Sequence, residues 1–206
     1  MERLLAERNI KHLFHFTQAQ NIPSILDLGL LPRDTIDRCG IQSAVNDEFR
    51  YDKCESAVCT SIEFPNYKMF YKLRIDNPQT EWAVFRLDAR VLCDFTCAYC
   101  YTNAGSAEVY SLPLSARIGE KAFLHLFEDR LGRPTRAERN LSDRYPTDPQ
   151  AEVLVFGRIP VWYITGIYFN NHDTMSAYRK YVPDHIDVRV NGGLFSYRMD
   201  YLFDKV

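Results

Sequence analysis

Gln150-Ala151-Glu152-Val153-Leu154-Val155-Phe156 is the stretch that organises the reading of this chain. A polar loop, residues 133–149, runs directly into an apolar, β-branched segment, which is the pattern of a core strand. Glu152 stands at the junction. A carboxylate at that position is carried on a rigid element, at a sheet edge and facing a cleft. Taken alone, a glutamate at a strand start is ordinarily a solvated one, so its meaning depends on the rest of the chain.

Working outward, Leu13-Phe14-His15-Phe16 reads as a strand ending at Thr17. Thr17 is placed to cap a helix through Leu28, with Ile22, Ile25, Leu26 and Leu28 as its apolar stripe, and Gly29 and Pro32 mark its exit. Residues 33–56 are polar and weakly periodic and read as a long loop with little regular structure. Further strands are expected at Ala57–Ile62, Trp82–Leu87 and Ile186–Val190, with Glu152–Phe156 and Val161–Ile164 as two adjacent strands. Helices are expected from Asn66 to about Arg74, from Ala116 to Leu131 and from Thr174 to Val182. Repeats, low-complexity tracts and linkers are absent, which gives one α+β domain over 1–206.

With 46% hydrophobic residues among 206, the chain can bury a sizeable core. The net charge of −2 supplies no global field towards nucleic acid, so any DNA binding must come from a local patch. The charged N-terminus is unlike a signal peptide, and no apolar run is long enough for a membrane span. Six cysteines in that setting read as reduced thiols of a cytoplasmic protein. Three of them, Cys93, Cys97 and Cys100, have a C-x₃-C-x₂-C spacing that resembles an iron–sulfur cluster motif. Only 106 residues follow Cys100, no glycine-rich strand end appears downstream, and zinc would lack a fourth ligand. The expectation is therefore buried thiols near a strand end, and no metal.

His15-Phe16-Thr17, the run Asn21-Ile22-Pro23-Ser24-Ile25-Leu26, Gly29-Leu30-Leu31, Asn103-Ala104 and Gln150–Val155 with Ile159-Pro160 together resemble the DarT family. These are DNA ADP-ribosyltransferase toxins of bacterial toxin–antitoxin systems. The resemblance implies the ADP-ribosyltransferase fold, with split antiparallel β-sheets and flanking helices. It also implies NAD⁺ as substrate and single-stranded DNA as acceptor.

The chemistry calls for these residue types. Cleaving the N-glycosidic bond of NAD⁺ builds an oxocarbenium-like ribose, which a fixed carboxylate stabilises. By the resemblance Glu152 is that catalytic residue. His15, Phe16, Thr17 and Asn21 fall in the NAD⁺ pocket, with Tyr51, Tyr67 and Met69 as further contacts. Arg50, on an element expected to fold over the dinucleotide, suits its phosphates and is taken as catalytic and NAD⁺-binding; a surface arginine paired with Asp47 or Asp52 is the alternative.

Single strands are held by phosphate contacts and base stacking. Arg133, Arg136, Arg139, Arg144 and Tyr145 offer both just before Glu152, and Asn103 is expected to face DNA as well. The thymine-modifying branch carries Pro-Arg and Met-Leu pairs where this chain has Ser61–Phe70, and a His-Ala where it has Asn103-Ala104. Those departures favour guanine as the target base. The resemblance also implies an antitoxin partner with ADP-ribose hydrolase activity (a macrodomain or similar, DarG-like). An ADP-ribosyltransferase acting on RNA or protein, and a non-catalytic NAD⁺- or nucleic-acid-binding module, are the competing readings.

Overall fold

The structure, a computed structural model, describes residues 1–44 and 54–204. Its strands are β1 (His12–Gln18), β2 (Ala57–Ile62), β3 (Trp82–Asp88), β4 (Cys97–Cys100), β5 (Glu152–Phe156), β6 (Ile164–Phe169) and β7 (Asp187–Val190). The helices are α1 (Glu2–Glu7), α2 (Ile22–Leu28), α3 (Arg33–Arg38), α4 (Tyr67–Asp76), α5 (Val91–Asp94), α6 (Ala107–Tyr110), α7 (Glu120–His125) and α8 (His172–Arg179). The strands lie in the order β4-β5-β2-β1-β3-β6-β7. Every neighbouring pair is antiparallel except β6 and β7, which run parallel.

The expected α+β architecture with a split sheet is present. β1 keeps register with β3 along its whole length, from His12↔Asp88 to Gln18↔Trp82. Against β2 it pairs only at Leu13↔Ile62 and Phe14↔Ser61. Beyond those two pairs the strands part, and β2 continues instead with β5. Side chains alternate across the sheet because the strand repeat is two residues. Leu13, Phe85, Leu87, Val153 and Val155 enter one large core. On the opposite face the core is divided. Phe14, Phe70, Trp82 and Val84 form one cluster, while Ala57, Ala98, Cys100 and Leu154 form another.

Several expectations need correction. Val161–Tyr163 is a 3₁₀ turn, and the strand following it, β6, lies beside β3 and β7, far from β5. The helix expected over 116–131 shrinks to α7, because Gly119 adopts φ +87° just before it; Leu131 is fully exposed. α2 begins at Ile22 after a 3₁₀ turn over Ala19–Asn21, and Thr17 stays inside β1 rather than capping. Residues 33–56 include α3, whose polar sequence conceals it. The cysteine motif is itself a strand. Cys97 and Cys100 are three residues apart on β4, which sends their thiols to opposite faces and into different cores. Burial pushes both thiols up to about 12, so they are poor thiolate donors. Among the described residues, no group of three or more His, Cys, Asp or Glu is placed to hold a metal.

Gly29 ends α2 at φ +82°, and a Cβ there would lie 2.4 Å from the Ile159 carbonyl oxygen. Only glycine allows the Leu30↔Ile159 bridge that ties this corner to the end of β5. At the other end of the chain, Asp200 joins two buried guanidiniums, Arg198 (2.6 Å) and Arg139. These arginines also donate to the Thr147 and Pro146 carbonyls, so the triad locks the 133–149 loop to the C-terminal segment.

Burial alone would lift the Asp200 carboxyl, but hydrogen bonds and charge from Arg198, and then Arg139, hold it below its ordinary value. Its contribution to stability is therefore complete above the ordinary carboxylate range and fades as pH falls through the depressed value. Asp200→Asn leaves two buried cations without their counter-charge and should cost about 3–5 kcal/mol of unfolding free energy at neutral pH. The loss should shrink in acid. Urea unfolding of both proteins at pH 7 and pH 3 checks this; an equal loss at both would contradict it.

Candidate active site

Where β1 and β2 part, a cavity of ≈ 270 Å³ opens between them. β1 supplies Phe14, His15, Phe16 and Thr17, and β2 supplies residues 57–61. Met69 of α4, residues 103–105 and Glu152 close one end; the α2 corner and Ser43-Ala44 close the other. Both faces of the sheet contribute, so the cavity passes through the split.

Glu152 is only 7% exposed, and both its oxygens are held. Oε1 accepts from the Asn66 side-chain amide at 3.3 Å, and Oε2 accepts from the Ala104 backbone N–H at 2.8 Å. Asn66 is buried and used at every atom it offers. Its Oδ1 caps α4 by accepting from the Met69 N–H (3.2 Å), and its own N–H donates to the Ser61 hydroxyl (3.2 Å). The Asn103 side chain accepts from the Gly105 N–H (2.9 Å), forming a tight turn that presents Ala104 to the carboxylate. β5 is not an edge strand as expected: β4 covers it, with Cys100 paired to Glu152.

His15 spans the split. Its Nδ1 lies 2.8 Å from the Cys59 carbonyl oxygen on β2. A carbonyl can only accept, so Nδ1 carries the proton and the ring is fixed across the gap. Asn21 donates to the Thr17 hydroxyl (2.9 Å) and to the Ala44 carbonyl (2.8 Å), and accepts from the Ala44 N–H (2.9 Å). Thr17 and Asn21 thus pin Ser43-Ala44 against the cavity. Arg50 and Tyr51 lie outside the described residues.

Other expected site residues go elsewhere. Tyr67 is buried and packs edge-on against Phe64 and Tyr197, away from the cavity walls. Phe16 lines the cavity while stacked on Phe70 at 4.5 Å. The arginine-rich loop contributes nothing to the cavity walls. Arg136 is spent on the loop itself, bonding to the Ser142 and Tyr145 carbonyls and the Thr147 hydroxyl. Arg139 is buried on Asp200. Arg144 stacks on Tyr145 (4.8 Å) and comes within 3.9 Å of Glu63. In the sequence Asn66 signals only a helix start. Its second role depends on a partner 86 residues away, which no local pattern signals.

A family model described as "ssDNA thymidine ADP-ribosyltransferase, DarT" matches residues 14–195. The chain belongs to the DarT family. Thermosipho africanus DarTG in complex with ADP-ribose superposes with a TM-score of 0.64 at 19% identity, over 90% of this chain and 51% of that one. This chain therefore spans about half the length of that protein. Thermus sp. 2.9 DarT in complex with NAD⁺ gives a TM-score of 0.54 at 14% identity, over 90% of this chain and 97% of that one. The same protein in complex with ADP-ribosylated ssDNA gives 0.54 at 14% identity, over 91% and 97%. These likenesses show the fold. Comparison with curated proteins found no match.

Asn66 emerges as a positioning residue for Glu152. Asn66→Asp keeps an acceptor for the α4 cap but replaces the amide donor with a second carboxylate. It should lower the ADP-ribosyl transfer rate at least about tenfold, and the second carboxylate, buried against Glu152, should cost about 3 kcal/mol or more of stability at neutral pH. Transfer rate and thermal unfolding, measured on the same preparation, decide it. An Asn66→Asp protein that transfers at the parental rate would remove Asn66 from the account.

Proposed function

We propose that this DarT-family chain transfers ADP-ribose from NAD⁺ to a base of single-stranded DNA and releases nicotinamide, as the toxin of a toxin–antitoxin pair. The observation that carries the reading is Glu152, buried with both oxygens anchored, in the wall of a cavity that opens through the sheet. The family match supports the activity, as do the Thermus DarT complexes with NAD⁺ and with ADP-ribosylated ssDNA.

In this reading the C1′–N bond to nicotinamide breaks with its electron pair leaving on nicotinamide. The ribose acquires positive charge, and a base nitrogen attacks C1′. Glu152 stabilises the developing charge and takes up the proton that the base nitrogen loses. Anchored at both oxygens by Asn66 and the Ala104 N–H, the carboxylate is already in position at the moment of reaction. His15, Phe16, Thr17, Asn21 and Met69 form the NAD⁺ walls, and Arg50 and Tyr51 keep the NAD⁺-binding roles that the resemblance gives them. Asn103 acts on Glu152 through the turn at Ala104. Of the arginine-rich loop, Arg133, Arg144 and Tyr145 are retained as DNA contacts. The partner is an antitoxin that hydrolyses the ADP-ribose adduct.

Guanine is the proposed target, on the departures at Ser61–Phe70 and Asn103-Ala104, although the family description names thymidine. Labelled NAD⁺ offered with single-stranded DNA, duplex DNA, RNA and protein should mark the single strand alone. Glu152→Gln should lower transfer by ~10²-fold or more while NAD⁺ affinity stays close to that of the parent. Label on RNA or protein, or Glu152→Gln retaining a tenth of the activity, would overturn the reading. Oligonucleotides that each lack one base, with the adduct mapped by mass spectrometry, test the base: an adduct on thymine would replace guanine and leave the DNA assignment standing.

A further inference from the structure

Outside the cavity, the C-terminal segment and α4 build a surface that the reaction scheme does not use. Tyr71 and Tyr197 are 45% and 47% exposed, and their ring centroids lie 5.9 Å apart at 37°. Tyr197 also stacks on Tyr201 (4.9 Å, 21°) and meets the edge of Tyr67 (5.8 Å). Between Tyr71 and Tyr197 is a cleft of ≈ 160 Å³, with Arg74, Phe195 and Ser196 as its other walls. Arg74 lies over the Phe70 ring and donates to the Phe195 carbonyl (2.5 Å). It has no carboxylate partner among the described residues, and its buried Nε has no hydrogen-bond acceptor.

We infer that this tyrosine cleft is a base-stacking platform for single-stranded DNA a few nucleotides from the modified one. The inference rests on the reading of the chain as a transferase acting on single-stranded DNA. Two observations select a nucleic acid as occupant. Exposed aromatic rings, tilted 37° to each other, beside a guanidinium with no carboxylate partner among the described residues match the stacking surface and phosphate contact that single strands require. The platform is also continuous with the active site through α4. The cap of that helix is Asn66, bonded to Glu152, and its first turn carries Met69 in the cavity wall; the next carries Tyr71 and Arg74. From Asn66 to Tyr71 the rise along the helix axis is about 7.5 Å. That rise is axial, and Tyr71 lies about 200° around the helix from Met69, so it is a base a few nucleotides from the target that passes the helix and reaches the cleft. This local feature supplies what a chain of net charge −2 lacks as a global field.

The test is a Tyr71→Ala/Tyr197→Ala double variant, assayed by fluorescence anisotropy with a labelled single-stranded oligonucleotide of mixed sequence. DNA affinity should fall about tenfold or more. NAD⁺ affinity should stay as in the parent, the lost ring contacts should lower the unfolding midpoint by a few degrees only, and Tyr→Trp at both positions should restore binding. Arg74→Gln should flatten the salt dependence of DNA binding by about 0.7 in log–log slope. Unchanged DNA affinity in the double variant, with a parent that still modifies DNA, would overturn the platform and leave the transferase reading intact. A parent that dimerises in solution, and a double variant that is monomeric with DNA affinity unchanged, would assign the surface to a second copy instead. A parent that modifies no single strand would remove both proposals together.

Discussion

After Phe14 and Ser61, β1 and β2 lose register, yet neither strand can leave its backbone polar groups unpaired without cost. On its other edge β2 is held by β5, and β1 is held along its whole length by β3, so only the gap-facing groups of these two strands need partners other than a strand. The His15 ring closes the remaining gap through the Cys59 carbonyl. That one side-chain bond keeps the two halves of the sheet at a fixed separation while leaving room between them. The cavity opens at this parting, and the core on one face is divided into two clusters on either side of it.

Burying a carboxylate is expensive unless its oxygens are hydrogen-bonded. Here the two donors come from distant parts of the chain, the cap of α4 and the turn after β4. The same Asn66 that begins a helix anchors the carboxylate, so the position of α4 and the position of Glu152 cannot vary independently. The loop before β5 is fixed just as firmly, through Arg136 within it and the Arg139–Asp200–Arg198 triad. Arginines that look available in sequence are thus largely consumed in holding the loop's shape, which is the ordinary fate of a guanidinium near several carbonyls.

Much of the architecture was legible because its signals are local. β-branched runs marked β2, β3 and β5, Asn66 marked the start of α4, and Gly29 marked the end of α2. Glu152 is singled out only by the family resemblance, since its strand-start setting alone reads as a solvated glutamate. The failures share a cause. β4 was hidden by a cysteine spacing that invited a metal reading, α3 by polar composition, and the length of α7 by Gly119. The contacts that make Glu152 a site, and those that remove Arg136, Arg139 and Tyr67 from it, join residues far apart in sequence. Periodicity carries no information about such pairs.

The central claim is that the dinucleotide lies in the gap between β1 and β2 with its reacting ribose at Glu152. A crystal structure of this protein with carba-NAD⁺ tests it most directly, since an analogue that resists cleavage stays whole in the crystal. The account predicts the ribose bearing nicotinamide within hydrogen-bonding distance of the Glu152 carboxylate, with His15 still bridged to the Cys59 carbonyl. Density for the analogue anywhere outside the cavity walled by His15, Thr17, Met69 and Glu152 would contradict it.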